Sequence, residues 1–261
     1  MKRLLSLILV FSLITYPVFS SVTFDNTDDI LDCGTTDDIL KENAALTISA
    51  WIKPASGGEG SGASFSGGRI VDRSSLIFRV GDDATTAKHI DFAVTGSTLL
   101  EHKSSANSIT FSTWQHVLVT WDGSTTAANI HIYVNGTEVS YSSTSNGVSP
   151  NDNSTANTYI GNNAATTRTF DGVIDEVYIY TSVLNASDIA LLANSRTKRM
   201  GFKTSVQPKR YWAMDECTSG ATCSTVGQFR DITGNGGNCS PSNSPTGSSG
   251  IIGYSPGVIQ P

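Results

Sequence analysis

Four cysteines, Cys33, Cys217, Cys223 and Cys239, carry the most specific chemistry in this 261-residue chain. An even count suits two disulfides in an oxidising compartment, with three pairings open. The linker between Cys217 and Cys223, Thr218-Ser219-Gly220-Ala221-Thr222, is turn-forming. That favours a local bridge and leaves Cys33 to join Cys239, which would tie the C-terminal stretch to the start of the fold. Zinc is a poor alternative, because no C-x-x-C pair occurs and no His stands at ligand spacing.

Acid–base cleavage of a glycoside needs two placed carboxyl groups. The nearest clustering is Asp171, Asp175 and Glu176. On a strand the last two, being adjacent, point to opposite faces, so they are expected to be structural. His89, His102, His116 and His131 show no spaced pairing and are expected at strand or surface positions. Ser and Thr are too common to nominate a nucleophile. The sequence therefore reads as non-enzymatic. Sugar binding asks for an aromatic platform with amide or carboxylate partners. Trp114, Tyr141, Tyr159 and Tyr178 lie on or beside expected strands, and Asn162, Asn163 and Arg168 in a loop; the sequence selects no ligand-binding residue among them. Trp114 and Trp121 are expected in the core. Asn135, Asn153, Asn185 and Asn238 each head an N-x-Ser/Thr sequon.

The elements that must position these groups are short strands. Leu46 to Lys53 alternates with period two and stops at Pro54. Strand-like runs follow at Arg69-Ile70-Val71, Leu76 to Val80 and His89 to Val94. Trp114 to Trp121 comes next, then Ile130 to Val134 with an Asn135-Gly136 hairpin turn, and Val173 to Tyr180. Gly57 to Gly68 and Thr233 to Gly250 read as loops. Asn185-Ala186-Ser187-Asp188 caps one short amphipathic helix over Ile189 to Ala193. Many strands without intervening helices predict an all-β, antiparallel two-sheet sandwich with one short edge helix and a disulfide-tied C-terminal tail. Charged residues make up only 15 % of the chain, and polarity comes from Ser, Thr, Asn and Gly. A formal charge of −6 argues against nucleic acid as a partner. Met1 to Ser20 has the layout of a secretory signal: Lys2 and Arg3, an apolar run from Leu4 to Thr15, then Val18-Phe19-Ser20. Its removal leaves 15 cations against 23 anions, a charge of −8. With no second apolar stretch of membrane length, the expected product is secreted, extracellular or at the cell surface.

The ordered motifs carry a resemblance. Phe24-Asp25 with Asp28-Asp29-Ile30, then Leu46 to Pro54, Trp114-Gln115-His116-Val117, and Tyr133-Val134-Asn135-Gly136 stand in the first half. Ile160-Gly161-Asn162, Phe170 to Val177 and Ser187-Asp188-Ile189 close the series. Together, over roughly residues 23–195, they resemble the laminin-G-like, pentraxin-like branch of the concanavalin-A-like lectin/glucanase jelly rolls, with Asn26 where that family usually has Gly. The resemblance implies a jelly roll over residues 21–198 that binds a glycan or an extracellular surface protein. It also implies a structural calcium ion, Ca2+, for which Asp25 and Asp175 are the matching positions. Residues 199–261 form a tail. There Tyr211-Trp212-Ala213-Met214-Asp215-Glu216 and Asp231-Ile232-Thr233-Gly234-Asn235-Gly236 resemble a strand and loop that, in related cassettes, precede the Phe-Asp strand. The tail is thus expected to pack on its own domain or on a neighbouring subunit. Two readings follow: a secreted lectin-like or adhesion module, and a structural filament or surface-layer subunit that self-associates by strand exchange.

Overall fold

The computed structural model describes residues 20–35, 39–60, 67–83, 87–194 and 200–250. The expected signal lies outside this range except for Ser20, the first residue of β1. In chain order the strands are β1 (Ser20–Asp25), β2 (Ile30–Thr35), β3 (Leu46–Pro54), β4 (Arg69–Arg73), β5 (Leu76–Asp83), β6 (Ala87–Val94) and β7 (Gly96–Thr98). Then follow β8 (Leu100–Ser104), β9 (Gln115–Trp121), β10 (Ile130–Val134), β11 (Thr137–Glu138), β12 (Tyr141–Ser145) and β13 (Val148–Pro150). The last are β14 (Asn157–Ile160), β15 (Asp171–Tyr180), helix α1 (Ala186–Asn194), β16 (Arg210–Trp212), β17 (Ser240–Ser242) and β18 (Thr246–Ser249).

Two antiparallel sheets stack face to face. Sheet 1 runs β11-β10-β9-β3-β15-β1-β18, with β16 also on β15; sheet 2 runs β12-β8-β6-β5-β4-β14-β2-β17. Leu46, Ile48, Ala50 and Ile52 of β3 alternate into the shared core, where they meet Phe78, Phe92, Trp121 and Trp212. The hairpin turn follows its sequence signal, since Asn135 and Gly136 both have positive φ. Asn26 tolerates the absence of the family glycine in a related way: its φ is 65°, a conformation Asn accepts at low cost. Gly161 cannot be replaced so easily, because a Cβ there would meet the Phe24 ring at 2.0 Å.

Strands from the tail enter both sheets. β18 pairs with β1, β17 with β2, and β16 with β15. The expectation of a loop over Thr233 to Gly250 therefore misses two short strands made of Ser, Thr, Gly and Pro, whose order comes from their partners. Cys33 bonds Cys239 across 206 residues, and Cys217 bonds Cys223. Asp231 secures the inserted strand: its Oδ1 accepts hydrogen bonds from the Tyr211 and Thr233 amides at 3.2 and 3.0 Å. Helix α1 starts as read, with Asn185 Oδ1 accepting from the Asp188 amide at 3.0 Å. Its Ile189 and Leu192 pack with Leu118, Tyr178, Tyr180 and Tyr211 on the outer face of sheet 1.

Candidate binding cleft

The outer face of sheet 2 gathers the polar groups that can meet a ligand. Leu31, Cys33, Val71 and Ile160 face the core, so Asp32, Asp72 and Tyr159 face outward. Strand register sets these three in one row. Tyr159 on β14 stands opposite Asp32 on β2 and opposite Asp72 on β4. The row continues from Asp72 to Ile77 and then Ala93. Together with Arg69, Asn157 and the loop 163–165, Tyr159 and Asp72 line a cleft of about 570 Å³. That size lies within the range of small-molecule sites.

The polar members of the cleft are held in place. Asp72 Oδ2 accepts from Arg69 Nε at 3.0 Å and its Oδ1 from the Ser74 amide at 3.1 Å. Burial pushes the Asp72 carboxyl up to about 6 against the pull of Arg69. Asp32 accepts from the Gly34 amide at 2.8 Å and from Asn157 Nδ2 at 3.1 Å. Tyr159 is half-buried, and burial followed by the charge of Asp32 raises its hydroxyl pKa. The neighbouring row is closed rather than open: Arg79 Nη2 reaches Asp91 Oδ2 at 2.8 Å, with both side chains buried.

The expected calcium pair is not brought together. Asp25 lies opposite Asp171 on β15, and Asp175 stands four residues further along, roughly 13 Å away at strand rise. Asp25 instead clusters with Asp28 and Asp29, one carboxylate oxygen of each lying within 4.8 Å of the others. Three hard oxygen donors at this spacing fit calcium. Asp29 Oδ1 is also buried and receives no hydrogen bond. Burial, reinforced by Asp25 and Asp28, raises the Asp29 carboxyl to about 7.

Asp175 and Glu176 also depart from the expected alternation. Glu176 has φ 51° and sits at a register break between Asp175 and Tyr178. The extra residue is a β-bulge, so both carboxylates lie on the outer side of sheet 1. Asp175 pairs with Trp51, between the core residues Ala50 and Ile52. Glu176 accepts from the hydroxyls of Tyr178 and Tyr211, each at 2.6 Å. Those two rings stack at 4.2 Å. All three residues are buried, which suits structure rather than acid–base exchange with a substrate.

The other residues singled out in the sequence are scattered. Trp121 is in the core, but Trp114 is only half-buried, just before β9 begins at Gln115. Tyr141 stacks on His102 at 3.4 Å, and His131 contacts Glu138 at 2.7 Å. His89 lies 3.6 Å from Asp91, and His116 shares a 2.8 Å hydrogen bond with Ser49. Asn162 is buried; its Nδ2 donates to Asp29 O at 3.1 Å. The Asn153 sequon is occupied internally, its Nδ2 donating to Leu40 O at 2.9 Å. Sequence reasoning missed Asp32, Asp72, Asp28 and Asp29. The first two become visible only once strands distant in sequence are placed in register.

Among the described residues no helix is long and apolar enough to cross a membrane. The search of curated proteins finds no match. A native heptameric SAP-like pentraxin from Limulus polyphemus is similar at 14 % identity and a TM-score of 0.51, covering 71 % of this chain and 86 % of its own. A candidate carbohydrate-binding protein from Bacteroides ovatus is similar at 18 % identity and a TM-score of 0.56, covering 90 % of this chain and 60 % of its own. These likenesses establish the sandwich. The family model of the concanavalin A-like lectin/glucanases superfamily matches residues 25–190, well over half of the sequence, and the chain belongs to that family.

Proposed function

We propose that this protein is an exported, non-catalytic carbohydrate-binding module whose ligand site is the cleft floored by Tyr159. The observation that carries this reading is a half-buried aromatic ring in a cleft with amide-bearing walls, next to Asp72 in the lining and with Asp32 as its cross-strand neighbour on the other side. A sugar stacks its C–H face on such a ring while its hydroxyls donate to carboxylates and pair with Asn side chains. Membership of a lectin/glucanase superfamily and the Bacteroides ovatus neighbour support it. Two disulfides suit an extracellular setting. Calcium, held by Asp25, Asp28 and Asp29, would neutralise a like-charged cluster and fix the β1–β2 turn as a structural ion.

A glycan array probed with wild type and Tyr159→Ala, with calcium and with chelator, tests the assignment. Binding that disappears in Tyr159→Ala is expected. Binding that survives this substitution would show that the cleft is not the site. Calcium is expected to raise the melting temperature of wild type and to leave Asp29→Asn unmoved; an equal rise in both would refute the proposed ligands.

A further inference from the structure

Resting on the cleft reading above, we infer that the preferred saccharide is an amino sugar with a free ammonium group, bound over Tyr159 between Asp32 and Asp72. The three side chains are direct cross-strand neighbours, and such neighbours have Cβ atoms about 4.5–5.5 Å apart. A ring stacked on the phenol therefore places its rim substituents within reach of a carboxylate on either side.

The charges of this row are unequal. Asp32 is held by two neutral donors, the Gly34 amide and the Asn157 side-chain amide. Asp72 is matched by Arg69. Arg69 is the one cation among the residues that line the cleft. Its Nε is taken by Asp72, and its Nη1 donates to Gly67 O at 3.3 Å. Within the lining Arg69 offsets Asp72, and Asp32, the cross-strand neighbour of Tyr159 just outside that lining, adds a second carboxylate that leaves the row with a formal charge of −1. The fields of Asp32 and Asp72 both act to raise the Tyr159 hydroxyl, so both carboxylates act on the ring that would bear the sugar.

A protonated amine gains three ways at such a place. It donates charge-assisted hydrogen bonds, which are roughly twice as strong as neutral ones. It is attracted to the face of the aromatic ring. It also complements the net negative charge of the row. N-acetylation removes the charge and keeps the stacking surface, whereas a uronic acid brings a second anion to Asp32. Neither the stacking platform nor the amide walls distinguish these sugars; the charge of the row does.

Isothermal titration of the full-length protein with three tetramers, of glucosamine, N-acetylglucosamine and galacturonate, at neutral pH decides the matter. The glucosamine tetramer is expected to bind about tenfold more tightly than its acetylated counterpart, with galacturonate weakest. Asp32→Asn, which can keep its hydrogen bond from Gly34, is expected to bring the first two affinities together. In wild type, high salt is expected to weaken the amine ligand and spare the acetylated one. Equal or inverted affinities for the first two, or tightest binding of galacturonate, would overturn the amino-sugar inference. The cleft reading would survive if Tyr159→Ala still abolished that binding. If no tetramer binds wild type, or if binding ignores Tyr159→Ala, the inference falls together with the cleft.

Discussion

On the outer face of sheet 1 the alternate residues of β3 and β15 are roofed by helix α1 and the tail, whereas outward positions on β14 and β4 of sheet 2 border an open cleft. Thr47, Ser49, Trp51, Tyr178 and Tyr180 are all buried despite pointing away from the core. Most polar groups there are paired within the protein: Thr47 Oγ1 donates to Ser182 O, Ser49 meets His116 Nε2, and Glu176 receives two tyrosine hydroxyls, while His116 Nδ1 is buried with no partner among the described residues. Tyr159, by contrast, keeps part of its surface free. One face has been committed to holding the tail, and the other to meeting solvent. In a two-sheet sandwich both outer faces can read as polar, and what covers them decides which one is a site.

The sharpest way to break this contrast is to release the tail. Replacing Cys33 and Cys239 together by Ser opens a closure spanning 206 residues. Loop-closure entropy puts the cost at about 5.4 kcal/mol, against about 2 kcal/mol for opening the Cys217–Cys223 loop. Denaturant melts of the two double variants should show that ordering. A larger loss from the short bridge would mean that tail closure is not what the long bridge secures.

The strands read from periodicity were those that alternate within one segment, such as Leu46 to Lys53 ending at Pro54. The helix cap at Asn185 was equally local. β17 and β18 were not legible, because Ser, Thr, Gly and Pro carry no alternation and these strands exist through pairing with β2 and β1. The bulge at Glu176 escaped for a related reason: a non-glycine residue at positive φ leaves no mark in the sequence, yet it ends the pairing of β1 with β15 and precedes that of β16. Asp32, Tyr159 and Asp72 are far apart in the chain, and only register brings them into one row.

Acid tests the dryness of the sheet 1 face. Burial holds the His116 imidazole down to about 3, below its usual 6.5. The unfolded chain takes up that proton below pH 6.5 while the folded protein resists until about pH 3. Stability is therefore lost as pH falls through this window, by about 1.4 kcal/mol per pH unit. His116→Gln should flatten that part of the stability–pH curve even though it lowers stability at neutral pH. A wild-type slope that persists in the variant would assign it to other groups.

A smaller effect is expected where the tail strand meets β15. Tyr211→Phe keeps the ring stacked on Tyr178 but removes one of the two hydroxyl donors to the buried Glu176. An unpaired buried acceptor costs about 1–3 kcal/mol. Tyr178→Phe should cost a similar amount, and the double variant more than either alone. Loss of less than about 0.5 kcal/mol in both would place water at Glu176 and undo the picture of a sealed face.

The smallest stability change is expected at the residue with the largest functional consequence. Tyr159 packs with neither hydrophobic cluster, and its neighbours Asp32 and Asp72 take their hydrogen bonds from Gly34, Asn157, Arg69 and Ser74. Tyr159→Ala should therefore shift folding stability by no more than about 0.5 kcal/mol, as for ordinary surface positions. Loss of the stacking platform should still remove glycan binding. A residue that is nearly dispensable for folding and indispensable for binding separates the open face from the covered one. Measured unfolding of Tyr159→Ala beside that of Tyr211→Phe makes the comparison within one protein, and equal destabilisation of the two would erase it.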